Sequence, residues 1–126
     1  MTPSPSTVFV IDDDEMVRDS LKALLESRSF NVVDFESANQ FLNHADGDAN
    51  NACLLLDVHM SEMTGLELLR LLRSRGDAIP TILITGRTDP TVQAQAKELG
   101  VVALLDKPVA HPALFAAIRE ALAARP

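Results

Sequence analysis

Short apolar runs, rich in β-branched and aliphatic residues, alternate along this chain with longer stretches whose apolar positions recur every three to four residues. The first run, residues 8–11 (VFVI), ends in three aspartates. Val17, Leu21, Leu24 and Leu25 follow at spacings that place them on one helical face. A second run at residues 31–35 leads into Ser37-Ala38-Asn39-Gln40, the spacing of a capping box, and predicts a short helix. Residues 44–51 are polar around Gly47 and read as a loop. The third run, residues 52–56, delivers Asp57. Thr64-Gly65-Leu66-Glu67 repeats the capping-box spacing, and Leu66, Leu69 and Leu72 carry a helix to about Ser74. Residues 80–84 predict a fourth strand, followed by Thr85-Gly86. Asp89-Pro90 supplies an N-cap and a first-turn proline for a helix that stops near Gly100. Residues 101–105 predict a fifth strand, and His111-Pro112 opens a final helix rich in Ala and Leu. Residues 1–6, with two Pro and two Ser, read as a disordered arm, which leaves one domain over residues 7–124.

Five strand–helix units in succession predict an α/β fold with a parallel sheet and helices on both faces. Uninterrupted apolar strands such as residues 8–11 and 54–56 are what burial on both faces requires. Right-handed crossovers then bring the carboxyl end of every strand to one edge of the sheet, where ligand chemistry in open sheets gathers.

Composition narrows the function. At 126 residues the chain is the size of one domain, and with five Phe but no Trp or Tyr its core must be aliphatic. A net charge of −7 argues against direct binding to nucleic acid or to an anionic membrane surface. The apolar runs are too short to span a bilayer. MTPSPST has neither a basic nor an apolar signal region, so no secretory signal is expected. The single cysteine, Cys53, allows no internal disulfide and reads as a buried, inert thiol. A cytoplasmic location fits best.

The chemistry lies at the strand ends. The first strand presents Asp12, Asp13 and Asp14, the third Asp57, the fourth Thr85 and the fifth Lys107, followed by Pro108. An Asp after a strand is a common helix cap, and Asp14, closest to the helix, reads best as a cap or an exposed group. Capping does not explain several carboxylates and a lysine converging on one edge. Clustered carboxylates repel unless a cation joins them. Oxygen ligands without His or Cys suit Mg²⁺ or Mn²⁺ rather than zinc, and Mg²⁺ so held recruits phosphate oxygens. The set suits phosphoryl transfer, with Asp57 as nucleophile and with Lys107 and the Thr85 hydroxyl on the phosphoryl oxygens.

Val10-Ile11-Asp12-Asp13-Asp14-Glu15, Leu56-Asp57-Val58-His59-Met60, Ile84-Thr85-Gly86 and Asp106-Lys107-Pro108 together resemble the response-regulator receiver domains of two-component systems. The resemblance extends from residue 7 to about 123, and Gly-Leu-Glu-Leu at 65–68 looks like the FixJ-type branch. It implies a flavodoxin-like three-layer fold with strand order 2-1-3-4-5. It also implies that Asp57 takes a phosphoryl group from a sensor histidine kinase or phosphotransfer protein. Asp12, Asp13, Asp57 and the backbone carbonyl of His59 would hold the metal, with Asp13 the more direct of the acidic pair. Thr85 would be the switch hydroxyl, Gly86 would keep the approach open, and the Lys107–Pro108 bond would be cis.

Three departures from the family pattern matter. The Pro expected after Met60 is Ser61, followed by Glu62, so that loop is expected to be more flexible or differently set. The usual aromatic three before the lysine is Leu104, which has no ring to swing. His59 and Arg87 stand where the family tunes phosphoryl lifetime, and they read either as that or as exposed surface groups. A pseudo-receiver, a phosphate-independent binding module, is the rival reading, and the complete Asp12, Asp13, Asp57, Thr85 and Lys107 set counts against it. A dehalogenase-type phosphatase needs its nucleophile on the first strand, and three aspartates there would repel a flavin phosphate. With no helix-turn-helix in sight, the chain reads as a stand-alone regulator or the input part of a longer one. The face of the fourth helix, fifth strand and fifth helix is its expected dimer or partner surface.

Overall fold

The computed structural model describes residues 6–44 and 51–123. Most of the expected N-terminal arm (residues 1–5) and of the expected loop (residues 45–50) lies outside the described residues, as do residues 124–126. Five strands and five helices alternate: β1 (Thr7–Ile11), α1 (Glu15–Glu26), β2 (Asn31–Phe35), α2 (Ala38–Leu42), β3 (Ala52–Asp57), α3 (Gly65–Ser74), β4 (Thr81–Thr85), α4 (Pro90–Glu98), β5 (Ala103–Asp106) and α5 (His111–Ala123). All pairings are parallel, in the order β2-β1-β3-β4-β5. This is the expected flavodoxin-like topology.

Side chains alternate across each strand and so divide the core in two. Phe9, Ile11, Leu54, Leu56 and Leu83 pack under α2, α3 and α4 with Leu68, Leu69 and Val92. Val8, Val10, Leu55, Ile82 and Ile84 pack on the other face against Leu21 and Leu25 of α1 and Leu114 and Ile118 of α5. β3, in the middle, is buried along its whole length. Cys53 lies in this second layer, and burial pushes its thiol up to about 12, which leaves it an inert filler.

Helix starts follow the expected chemistry. The Asp14 side chain accepts from the Met16 and Val17 N–H groups and caps α1. Thr64 and Glu67 close a reciprocal capping box at α3. At α2 only half of the expected box forms: Ser37 accepts from the Gln40 N–H, but the Gln40 side chain accepts from Glu36, one residue before the cap. β4 and β5 both run later than expected. The Val101 N–H goes back to the Ala96 carbonyl, closing the turn out of α4 through Gly100 at φ +70°, and the Val102 N–H makes the first bond to β4, at Thr81, just ahead of β5. Apolar character alone does not distinguish such a turn from a strand.

Candidate functional site

The register sets the site. β1 and β3 pair as far as Ile11↔Leu56, and β3 and β4 as far as Asp57↔Ile84. The next residues, Asp12, Asp57 and Thr85, therefore emerge side by side at the carboxyl edge. Beyond the ladders, the Val58 N–H donates to the Ile84 carbonyl and the Lys107 N–H to the Thr85 carbonyl, so Lys107 is carried to the same edge. Asp12, Asp57 and Thr85 are buried, whereas Asp13, His59, Gly86 and Arg87 are exposed.

Asp12, Asp13 and Asp57 each offer a carboxylate oxygen, all within 4.8 Å of one another. Two unit charges at such a distance repel by roughly 3 kcal/mol at an effective dielectric of about 20. The Lys107 ammonium offsets this, 3.0 Å from Asp12 Oδ2 and 3.4 Å from Asp57 Oδ2. Asp12 Oδ2 is buried and has this charged neighbour but no well-directed hydrogen bond, while its Oδ1 accepts from the Asp14 N–H at 2.9 Å. Burial pushes the Asp57 carboxyl up, to about 6, and the Asp12 carboxylate adds to the rise; Lys107 and the His59 N–H pull it back. Burial alone would lower Lys107, but Asp12 and Asp57 outweigh it and hold the ammonium above its ordinary value.

This donor set fits a hard divalent cation: three carboxylates, no His or Cys among them, and one buried oxygen without a directed donor. It is the one such cluster among the described residues. An open cavity of about 440 Å³ lies over it, lined by Asp13, Asp57, His59, Gly86, Arg87 and Lys107 among others. His59 and Arg87 are exposed and line this cavity.

Thr85 is turned to its own loop. Its hydroxyl donates to the Arg87 carbonyl at 2.9 Å and accepts from the Arg87 N–H at 3.1 Å. Thr88 in the same loop donates to Asp106 at the end of β5. Leu104, half-buried, packs with the α4-side core. The Lys107–Pro108 bond is cis. Gly86 has no steric duty in this conformation, since a Cβ there would meet no heavy atom within 4 Å.

The tight glycine is Gly65, where a Cβ would stand 2.2 Å from the Asp57 carbonyl oxygen. Its N–H donates to the Val58 carbonyl, so the start of α3 lies directly against the strand end that carries Asp57. Two hydrogen bonds tie the loop between them to its surroundings. The Ser61 N–H donates to Asp13 Oδ2 at 3.2 Å, a bond that a proline there could not make. Glu62 takes a left-handed φ of +68° and accepts from the Asn39 side chain of α2. Arg18 of α1, not singled out by sequence, donates to the Asp12 carbonyl at 2.8 Å. Its only signal is its place one helical turn after the Asp14 cap.

Comparison with known proteins agrees with this geometry. Residues 8–119 match the response regulator receiver domain family. The chain is 43% identical over 122 residues to the transcriptional regulatory protein TdiR of Thauera aromatica, covering 97% of this chain and 53% of that protein. It is 40% identical over 120 residues to the transcriptional regulatory protein FixJ of Azorhizobium caulinodans, covering 95% and 56%. The chain thus spans about half the length of these curated relatives. Among solved structures, FixJ-N is similar with a TM-score of 0.86 at 36% identity, each chain covered to 97%. With motifs, topology and relatives in agreement, the chain belongs to the response regulator receiver domains, the signalling switches of two-component systems, and falls in their FixJ-like branch.

Proposed function

We propose that this domain, spanning residues 7–124, accepts a phosphoryl group on Asp57 from the phosphohistidine of a sensor kinase or phosphotransfer protein, in a reaction that needs Mg²⁺ or Mn²⁺. The observation that carries this reading is the meeting of a buried Asp57 with Asp12, Asp13 and Lys107 at one sheet edge. The Asp57 carboxylate attacks phosphorus; the O–P bond forms as the P–N bond breaks, and the imidazole leaves as the neutral base after taking up a proton. Asp12 and Asp13, with Asp57 and the His59 carbonyl, would hold the cation, which when bound shields the charge on the phosphoryl oxygens. Lys107, already between Asp12 and Asp57, turns to the incoming anion, and Thr85 exchanges its Arg87 partners for a phosphoryl oxygen. His59 and Arg87 at the rim tune how long the acyl phosphate lasts before water removes it.

An apolar groove beside the site is lined by Met16, Val17, Leu21, Leu24 and Val109, and Lys107 borders both. Met16 is 79% exposed. A helical kinase partner seated there would present its phosphohistidine above Asp57. No helix among the described residues is long and apolar enough to cross a membrane, and we place the exchange in the cytoplasm. The relatives named as transcriptional regulators are nearly twice as long, and we assign this chain the input role, read by a following domain or by partner proteins. The α4–β5–α5 face is its output and dimer surface, and the acidic chain itself makes no nucleic-acid contact.

Small phosphoryl donors test the core of the proposal. Acetyl phosphate or phosphoramidate with Mg²⁺ should label the wild-type chain once and leave Asp57→Asn unlabelled; equal labelling of both overturns it. Beryllofluoride with Mg²⁺ should shift the amide signals of the α4–β5–α5 face or the oligomeric state, and no change in either would refute the output surface.

A further inference from the structure

We propose that Arg18 is a positioning residue for the acidic pair: its guanidinium, oriented by Asp34, fixes the main chain at Asp12 so that Asp12 and Asp13 present their carboxylates toward Asp57. The inference rests on the reading of this cluster as a cation site.

Side chains on a helix lean toward its N-terminus, so a residue one turn into α1 reaches back over the loop from β1. Arg18 does this with a side chain only 12% exposed. Its Nη1 donates to the Asp12 carbonyl at 2.8 Å, and its Nε to Asp34 Oδ2 at 3.3 Å. Asp34 lies on β2 opposite Val10, and its other oxygen pairs at 3.5 Å with Lys22, one turn further along α1, so the group that orients Arg18 is itself held. Asp12 is the first residue past the end of β1. Its N–H still follows the sheet, to the Phe35 carbonyl, but from here the main chain turns away. Arg18 holds the carbonyl at this turn, and the Asp14 N–H holds the Asp12 carboxylate. Both ends of one residue are thereby fixed, which sets the direction in which Asp12 and Asp13 face. The planar guanidinium spans two acceptors at fixed angles, which a lysine ammonium on a flexible stem does not.

The sign of the effect separates positioning from charge. Removing a nearby positive charge strengthens cation binding to carboxylates; releasing Asp12 from its anchor weakens it, as loss of outer-shell partners does. Mg²⁺ titration calorimetry on the wild-type chain, Arg18→Lys and Arg18→Met should show affinity reduced about tenfold in both variants. In the metal-free proteins, the Asp14 amide should exchange at least tenfold faster in the variants, while the core amides of Leu114 and Ile118 keep their protection. Arg18→Lys retains charge and helix propensity and serves if Arg18→Met does not fold. Unchanged or tighter Mg²⁺ binding overturns the proposal, and so does equal loss of protection at Asp14 and Leu114, the mark of a merely structural residue. If the wild-type chain takes up no Mg²⁺, the cation reading fails, and the Asp14 exchange alone decides whether Arg18 positions Asp12.

Discussion

Asp57 is held where ionisation is costly, and this has a sign that can be measured. Its carboxyl titrates near 6 in the folded chain against an ordinary 3.8. A raised folded value means stability that is fully present below the unfolded value and lost as pH rises through the folded one. Asp57→Asn, uncharged at every pH, should match the metal-free wild type near pH 3.5. At pH 7 it should exceed it by about 2–3 kcal/mol in urea unfolding. Equal stabilities at pH 7 would show that Lys107 already compensates Asp57 fully. Ser61→Pro removes the N–H that tethers Asp13 and should weaken Mg²⁺ binding by about threefold in calorimetry while leaving the melting temperature within a degree or two. At this scale Asp12, Asp57, Thr85 and Lys107 were legible because each follows an apolar run and topology does the rest. Arg18 and Gly65 were not, because their duties are contacts with main-chain atoms elsewhere: Arg18 acts on a carbonyl six positions back, and Gly65 on one at position 57. Periodicity reports which face a side chain uses, not which backbone atom it meets.

Among the elements, the start of α3 meets the end of β3 at a single tight point, Gly65. A methyl group at residue 65 cannot fit 2.2 Å from the Asp57 carbonyl oxygen, so Gly65→Ala must push α3 and the strand end apart. We expect a loss of about 1–3 kcal/mol, together with slower acetyl phosphate labelling; wild-type labelling in a destabilised variant would show that the site tolerates the shift. Thr64→Ala, which opens the capping box but leaves the glycine, should cost about 1 kcal/mol and leave labelling unchanged. The β4–α4 loop is the other sensitive connection. With Leu104 in place of a ring, the Thr88 hydroxyl's bond to Asp106 ties this loop to the end of β5, while the Thr85 hydroxyl's bond to Arg87 closes the loop on itself. Element order, helix caps and the five strands could be read from pattern and capping residues. The late starts of β4 and β5 could not, because a strand begins where a neighbour's carbonyl is free to pair, and that depends on the fold.

For the whole molecule, the proposed cation site would link metal binding to folding. A ligand that binds only the folded chain adds about 2.7 kcal/mol at a hundred times its dissociation constant, so saturating Mg²⁺ should raise the melting temperature by several degrees, and Asp13→Asn should abolish most of the gain. A gain unchanged in Asp13→Asn would place the cation elsewhere on this acidic surface. The topology was legible at this scale because uninterrupted apolar strands separated by helices leave few alternatives to a doubly covered parallel sheet. Lys107, lodged between Asp12 and Asp57, has a consequence in terms of valence. Three carboxylates and one ammonium leave the site with two negative charges. A divalent ion brings that to neutrality, whereas sodium or potassium leaves a residual charge and a trivalent ion reverses it. If the cluster is the cation site proposed above, the lysine would act as a resident counterion that matches the pocket to ions of charge two, before geometry or ion radius makes any further choice.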